Sequence, residues 1–199
     1  MVSESDTKRR ILEAARELMH SRSYADVGIA AICERAGVQK GSFYHFFPSK
    51  QELTLAVLDV FYGKTKENIG RAFESDIPPM ARIERLAQVA YEVQKKYEAE
   101  TGMVLGCAFG NLATEMSTQD EAIRKKIDHI FGKFRTGIAA VLEEASGQGE
   151  LPGVDIEATA QAMLAYFEGV MMMAKNQNNP EVLRLLLPAM AQIRILAKP

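Results

Sequence analysis

Cysteine, histidine and long apolar runs are all scarce in this 199-residue chain, and each scarcity narrows what it can be. Its two cysteines, Cys33 and Cys107, stand far apart and have neither the density of a disulfide framework nor zinc-ligand spacing, so both are expected as reduced thiols. The three histidines, His20, His45 and His129, are scattered, and no His/Asp/Glu group has metal or acid–base spacing. A metal site is therefore not expected, and neither is a cofactor. A Gly-rich phosphate loop, an H-E-x-x-H and a G-x-S-x-G are all missing, which argues against an enzyme. No apolar run approaches the roughly 18 residues needed to span a bilayer, and the charged start MVSESDTKRR lacks the apolar centre of a signal peptide. The expectation is a cytoplasmic protein with no membrane partner. β-Strand alternation is lacking too, which leaves an all-α chain.

Basic charge is also in short supply. The formal net charge is −2, which looks wrong for a nucleic-acid binder until it is counted by region. Residues 1–50 hold eight Lys/Arg against six Asp/Glu, whereas residues 51–199 hold sixteen against twenty. The small basic excess lies at one end.

That end contains the most informative stretch, GIAAICERAGVQKGSFYHFFPSKQEL at 28–53. Ile29, Ile32, Cys33 and Ala36 recur at three- and four-residue spacing and predict a short helix with one apolar face. Gly37 ends it, because glycine enters a left-handed conformation at little cost. A second short helix follows from Gln39 to about Phe47. Phe43, Phe46 and Phe47 can face inward, leaving Gln39, Lys40, Ser42, Tyr44 and His45 outside, with Gly41 allowing close backbone approach. Two short helices joined at a glycine turn make a helix-turn-helix, and the outward set suits a major groove: Gln pairs with adenine, Lys reaches guanine or phosphate, and Ser and Tyr hydroxyls hold phosphate.

On these residues the chain resembles TetR-type transcriptional regulators, whose signature GVQKGSFYHFFPSKQEL carries here as K-G-x-x-Y-x-x-F followed by S-K-x-x-L. The resemblance is strong over residues 7–58 and its layout fits the whole chain. It implies that Gln39, Lys40, Ser42, Tyr44 and His45 lie on the recognition helix and that Lys50 clamps a phosphate. Many relatives open the second helix with Thr or Ser, where this chain has Gly28, so a backbone N–H would bind the phosphate instead. The implied fold is a three-helix head over 1–50, a connecting fourth helix over 49–73, and a helical ligand-sensing and dimerisation domain over 51–199, about nine helices in all. The implied partners are a palindromic double-stranded operator, a second copy of the chain, and a small hydrophobic or electrophilic ligand. The implied setting is a bacterial cytoplasm, at the nucleoid.

Periodicity places the elements. Helix one is expected over Thr7 to about Arg22, with Asp6 as its cap, and Ser49 should cap helix four. Asp76-Ile77-Pro78-Pro79 is the expected boundary between domains. Beyond it the pattern gives helices over 80–100, 107–116, 119–144 and 156–175, then a ninth over 181–196 that Pro188 should kink or split. The last two are apolar on more than one face, so Met163, Phe167, Val170, Met171, Leu183, Leu186, Met190 and Ile193 are expected at a dimer interface.

Tyr62, Tyr91, Phe109, Phe131 and Tyr166, with Asn111, Glu115 and His129 as polar anchors, are candidates to line a ligand site, although aromatics at helical spacing are more often core. Cys107 has two readings. It opens the helical stretch CAFGNLATEM, where unpaired N–H groups would favour a reactive thiolate; or it is a small buried hydrophobe. The G-C pair here and Ala174-Lys175 later resemble the branch of TetR-type repressors that answer to reactive electrophiles, with Lys175 as the thiol's partner. A helical adaptor without DNA binding is the competing class, and it leaves the Gln39–His45 face unexplained.

Overall fold

A computed structural model describes residues 4–198, and among them helix dominates. The elements are α1 (Glu4–Ser21), α2 (Ile29–Ala36), α3 (Lys40–Phe46), α4 (Lys50–Ala72), α5 (Pro79–Thr101), α6 (Ala108–Met116), α7 (Glu121–Gly147), α8 (Ile156–Asn176) and α9 (Glu181–Leu186). A 3₁₀ turn over Leu187–Gln192 follows α9. Pro188 falls in that turn, so the expected ninth helix is split, as a residue without an N–H requires. The α1 helix starts earlier than expected, and Asp6 lies inside its first turn, paired with Arg9, instead of capping it.

Caps explain several starts. Ser49 Oγ accepts the Glu52 N–H at 3.0 Å ahead of α4, Asp120 Oδ1 accepts the Ile123 N–H at 3.0 Å ahead of α7, and Asp155 Oδ1 accepts the Ala158 N–H at 3.0 Å ahead of α8. Pro79 opens α5, where a missing N–H costs nothing.

The chain divides into two compact units. The first holds the described residues up to Lys64 together with Asn111–Asp128; the second holds Thr65–Gly110 with His129 onward. The division runs through α4, α6 and α7 and not at the prolines, because α6 and α7 each contribute to both units.

In the first unit α1, α2 and α3 pack on one another, and Ile11, Ala15, Ile32 and Phe43 are fully buried. The second unit has two apolar clusters. One gathers Ile83, Ile138, Leu142, Ala145, Met163 and Met190; the other gathers Val104, Val170, Met171, Ala174, Leu183 and Leu187. Arg82, 5% exposed, sits beside the first and is neutralised by Glu144 through two bonds of 2.6 and 2.9 Å.

These clusters correct the expected dimer face. Met163, Val170, Met171, Leu183 and Met190 are buried within their own chain, and Phe167 and Ile193 are half-buried against it. Only Leu186 of that set is exposed. The apolar side chains left outside are its neighbour Leu185 (66% exposed), Met172 (61%) and Leu196 (70%), with Met173 and Ile195 less so. The extra apolar faces of α8 and α9 serve two clusters of one chain, which is why a count of faces misassigned them.

Candidate nucleic-acid interface and thiol site

The head is built around Gly37, whose φ of 63° and ψ of 43° lie in the left-handed region. Its N–H reaches Glu34 O and the Val38 N–H reaches Cys33 O at 3.0 Å, closing α2 and redirecting the chain. Arg10 of α1 donates to the carbonyls of Ala36 and Gly37, the second at 2.8 Å. The turn is thereby tied to α1, and a Cβ at Gly37 would come within 2.7 Å of the Arg10 guanidinium.

Phe43 and Phe47 are buried beneath α3, which turns its other face outward. Gln39, Lys40, Gly41, Tyr44 and His45 are exposed, and Ser42 is half-buried. Tyr44 is 52% exposed while its ring edge packs on Phe43 at 5.3 Å, so the hydroxyl is presented on a braced ring. Gly28 is exposed and extended just before α2, with no side-chain cap on that helix start.

Lys50 departs from the expected phosphate clamp. Its ammonium donates to Tyr24 O, lies 3.7 Å from the centre of the Tyr24 ring, and is half-buried. Burial lowers its pKa, against the opposing pull of Glu115 and Asp26. The lysine is engaged in holding the loop between α1 and α2.

That loop has a second anchor. The Glu115 carboxylate accepts the N–H groups of Tyr24 at 2.8 Å and Ala25 at 2.9 Å, three residues short of Gly28. Glu115 is on α6, and α7 is bound to the same unit by Gln51 to Asp120 at 2.7 Å and by Lys126 to Asp59 at 2.5 Å.

In the second unit the loop before α6 is fixed from two sides. Buried Gln94 of α5 pairs with the backbone of Gly106, donating to its carbonyl at 3.1 Å and accepting its N–H at 2.9 Å. Asn178, just beyond α8, accepts the Val104 N–H at 2.8 Å and donates to Gly102 O at 3.1 Å. Gly102 and Gly106 have φ of 75° and 72°, values that only glycine adopts cheaply. Cys107 follows directly, and its Sγ accepts the Gly110 N–H at 3.4 Å, as an N-cap side chain does.

Of the two readings of Cys107, the surroundings disfavour the free thiolate. Burial and the neighbouring Glu168 carboxylate push the Cys107 thiol well above the ordinary range, and they outweigh the lowering by the N–H groups of Gly110 and Phe109. The thiol donates to Glu168, whose own pKa is raised to about 7 by burial. A Cβ at Gly110 would collide with that carboxylate, so the missing side chain makes its seat. Lys175, expected as the thiol's partner, is exposed in the last turn of α8, seven residues and about 10 Å along the axis from Glu168.

Phe109 is buried and meets Phe134 and Phe131 edge-on at 5.5 and 6.5 Å. Tyr166 donates to Leu186 O at 2.8 Å, and Tyr91 donates to Glu181 at 2.8 Å, so both hydroxyls serve packing. His129 is exposed, which removes it as an anchor inside a ligand site. Tyr62 and Asn111 are half-buried and fall in the first unit. Glu115, expected as a polar anchor for a ligand, holds the loop before α2 instead, and sequence reasoning passed over Glu168, Gln94 and Asn178. A carboxylate inside the apolar run AYFEGVMMM was the available signal for Glu168; the other two look like ordinary surface residues.

A braced helix-turn-helix with a polar outer face, followed by a separate helical body, defines a DNA-binding regulator and not an enzyme. Residues 11–57 match the family described as bacterial regulatory proteins of the tetR family, and residues 79–190 match the tetracyclin repressor-like C-terminal domain. The chain belongs to the TetR family of transcriptional regulators. It is 29% identical over 175 residues to the transcriptional regulator AcuR of Cereibacter sphaeroides, covering 87% of this chain and 78% of that protein. It is 27% identical over 147 residues to the HTH-type transcriptional repressor NemR of Escherichia coli, covering 74% and 70%. Among solved structures, the regulatory protein TetR from Rhodobacter sphaeroides matches with a TM-score of 0.83 at 26% identity, covering 94% of this chain and 98% of that one.

Proposed function

We propose that this regulator is a homodimeric repressor that seats α3 of each copy in the major groove of a palindromic operator and leaves DNA when a small electrophile or hydrophobic ligand engages the Cys107 region. Exposed Lys40, Tyr44 and His45 on a helix fixed by the Gly37 turn, with Gln39 exposed just before its start, carry the DNA-reading part. One head presents few basic groups, so affinity needs two, with half-sites about 34–36 Å apart. The relative NemR is named a repressor, which favours that sign of regulation.

The α6 helix supports the response. Cys107 sits at its start and Glu115 near its end, bonded to the loop that leads into α2. A helix of nine residues is a stiff strut of about 12 Å, so a displacement at its first turn is felt by that loop. A preference of only about 1.4 kcal/mol for the displaced form changes operator affinity tenfold. The copies would meet through the outward side chains Leu185, Leu186 and Met172 instead of the buried set.

A band-shift with the region upstream of the chain's own gene tests the reading. The parent protein should bind as a dimer and be released by an electrophile, while Cys107→Ser should bind and stay bound. Release of the serine variant by the reagent contradicts the thiol-based response.

A further inference from the structure

Resting on the sensing role of Cys107 just proposed, the geometry points to a second member of that site: Glu168 is the base that takes the Cys107 proton and returns it to carbon when the sulfur adds to an uncharged α,β-unsaturated carbonyl compound. Four observations converge. The thiol donates to the Glu168 carboxylate, and both groups border the space beside Gly110, so the proton already has its acceptor. Gly110 leaves the room that the carboxylate occupies, since any side chain there would collide with it. The Gly110 N–H bonds to Sγ, and the paired bonds from Gln94 fix the Gly106 backbone just before it, so the sulfur is held in place. Cys107 and Glu168 are each half-buried as residues, so the pair is not sealed in an apolar cluster.

A thiol whose ionisation is disfavoured is a poor nucleophile unless a base takes its proton during attack. The carboxyl titrates at about 7, so near neutral pH it is present both as acceptor and as donor, which suits a base that must later act as an acid. The steps balance without an oxidant. The S–H bond breaks and the proton passes to a Glu168 oxygen. The sulfur pair forms a bond to the β-carbon as the C=C π pair moves toward the carbonyl oxygen. The resulting enolate takes the proton from Glu168 at its α-carbon, and the carboxylate is restored. One S–C and one C–H bond replace one S–H and one C=C π bond.

The carboxylate also sets the ligand class. An anionic electrophile would have to approach a buried negative charge, whereas an enal, enone or quinone would not. Methyl vinyl ketone should therefore alkylate Cys107 faster than acrylate does, beyond their ratio with a free thiol.

The test follows Cys107 alkylation by methyl vinyl ketone in the full-length protein by peptide mass spectrometry, from pH 5 to pH 9, for the parent and Glu168→Gln. The parent rate should level off near pH 7, as the base becomes fully ionised. The Gln variant should react at least about tenfold more slowly at pH 7 and keep rising to pH 9. Helicity and melting at pH 5 check its fold. A merely electrostatic carboxylate gives the opposite sign: removing its charge eases thiolate formation, so a Gln variant as fast as the parent, or faster, overturns the proposal. Should Glu168→Gln not fold, a parent rate that climbs steadily to pH 9 with no levelling overturns it equally. Glu168-dependent alkylation without release of the operator would leave this inference standing and remove the sensing role; no alkylation of the parent removes both.

Discussion

Replacing Glu168 with glutamine should stabilise the protein, and increasingly so as pH rises. The carboxyl is raised from an ordinary 4.5 to about 7, which means that folding favours its protonated form. Below pH 4.5 the group is neutral whether the chain is folded or not. Between 4.5 and 7 the unfolded chain loses the proton while the folded one keeps it, so stability falls; above 7 both are ionised and the loss is complete. A shift of about 2.5 units at 1.36 kcal/mol each makes the full loss about 3 kcal/mol. Glutamine has the same shape, can accept from the Cys107 thiol, and carries no charge to bury. Between pH 5 and pH 8 its advantage over the parent should widen by about 2 to 3 kcal/mol, or roughly 5–10 °C in melting temperature for a chain of this length. Thermal unfolding followed by circular dichroism, at one protein concentration and several pH values, reads this directly. A parent and variant whose difference stays flat across that range would mean that Glu168 ionises in water, and would refute the placement of its carboxylate beside Gly110 and Cys107.

Leu185→Glu and Met172→Glu should shift the sedimentation of the protein toward monomer while leaving its helicity intact, whereas Met171→Glu should unfold it, because Met171 is buried in its own chain and a lone charge there costs several kcal/mol. Folded dimers from both surface variants would move the interface elsewhere. Glu115→Ala removes the acceptor of two loop N–H groups and should cost about 1–2 kcal/mol of stability, and in band-shifts it should weaken operator release without slowing alkylation of Cys107. Release as complete as the parent's would show that α6 does not carry the response.

Helix positions were legible in the sequence because they rest on local signals: the spacing of Ile29, Ile32 and Ala36, the glycine at 37, and the cap at Ser49. The outward-facing set at α3 was legible for the same reason, since burying Phe43 and Phe47 fixes which side is left. What failed depends on tertiary neighbours. Lys50 reads as a free cation until Tyr24, 26 residues away, captures its ammonium. Met171 and Leu183 read as a surface stripe until both are found in one cluster with Val104 and Ala87. Cys107 shows how two opposing effects must be weighed: the helix start that favours a thiolate was visible, but the buried carboxylate that overrides it comes from a residue 61 positions away in sequence.

The central claim is that α3 reads DNA, and fluorescence anisotropy of a labelled upstream fragment against a scrambled one, titrated across salt concentrations, tests it most directly. The parent should prefer the upstream fragment by at least about a thousandfold. Lys40→Ala should weaken binding to both fragments and lower the salt dependence, and Gln39→Ala should shrink the preference about tenfold or more, with dimerisation and helicity unchanged. A parent that binds the two fragments alike, or variants indistinguishable from it on both, would contradict the account.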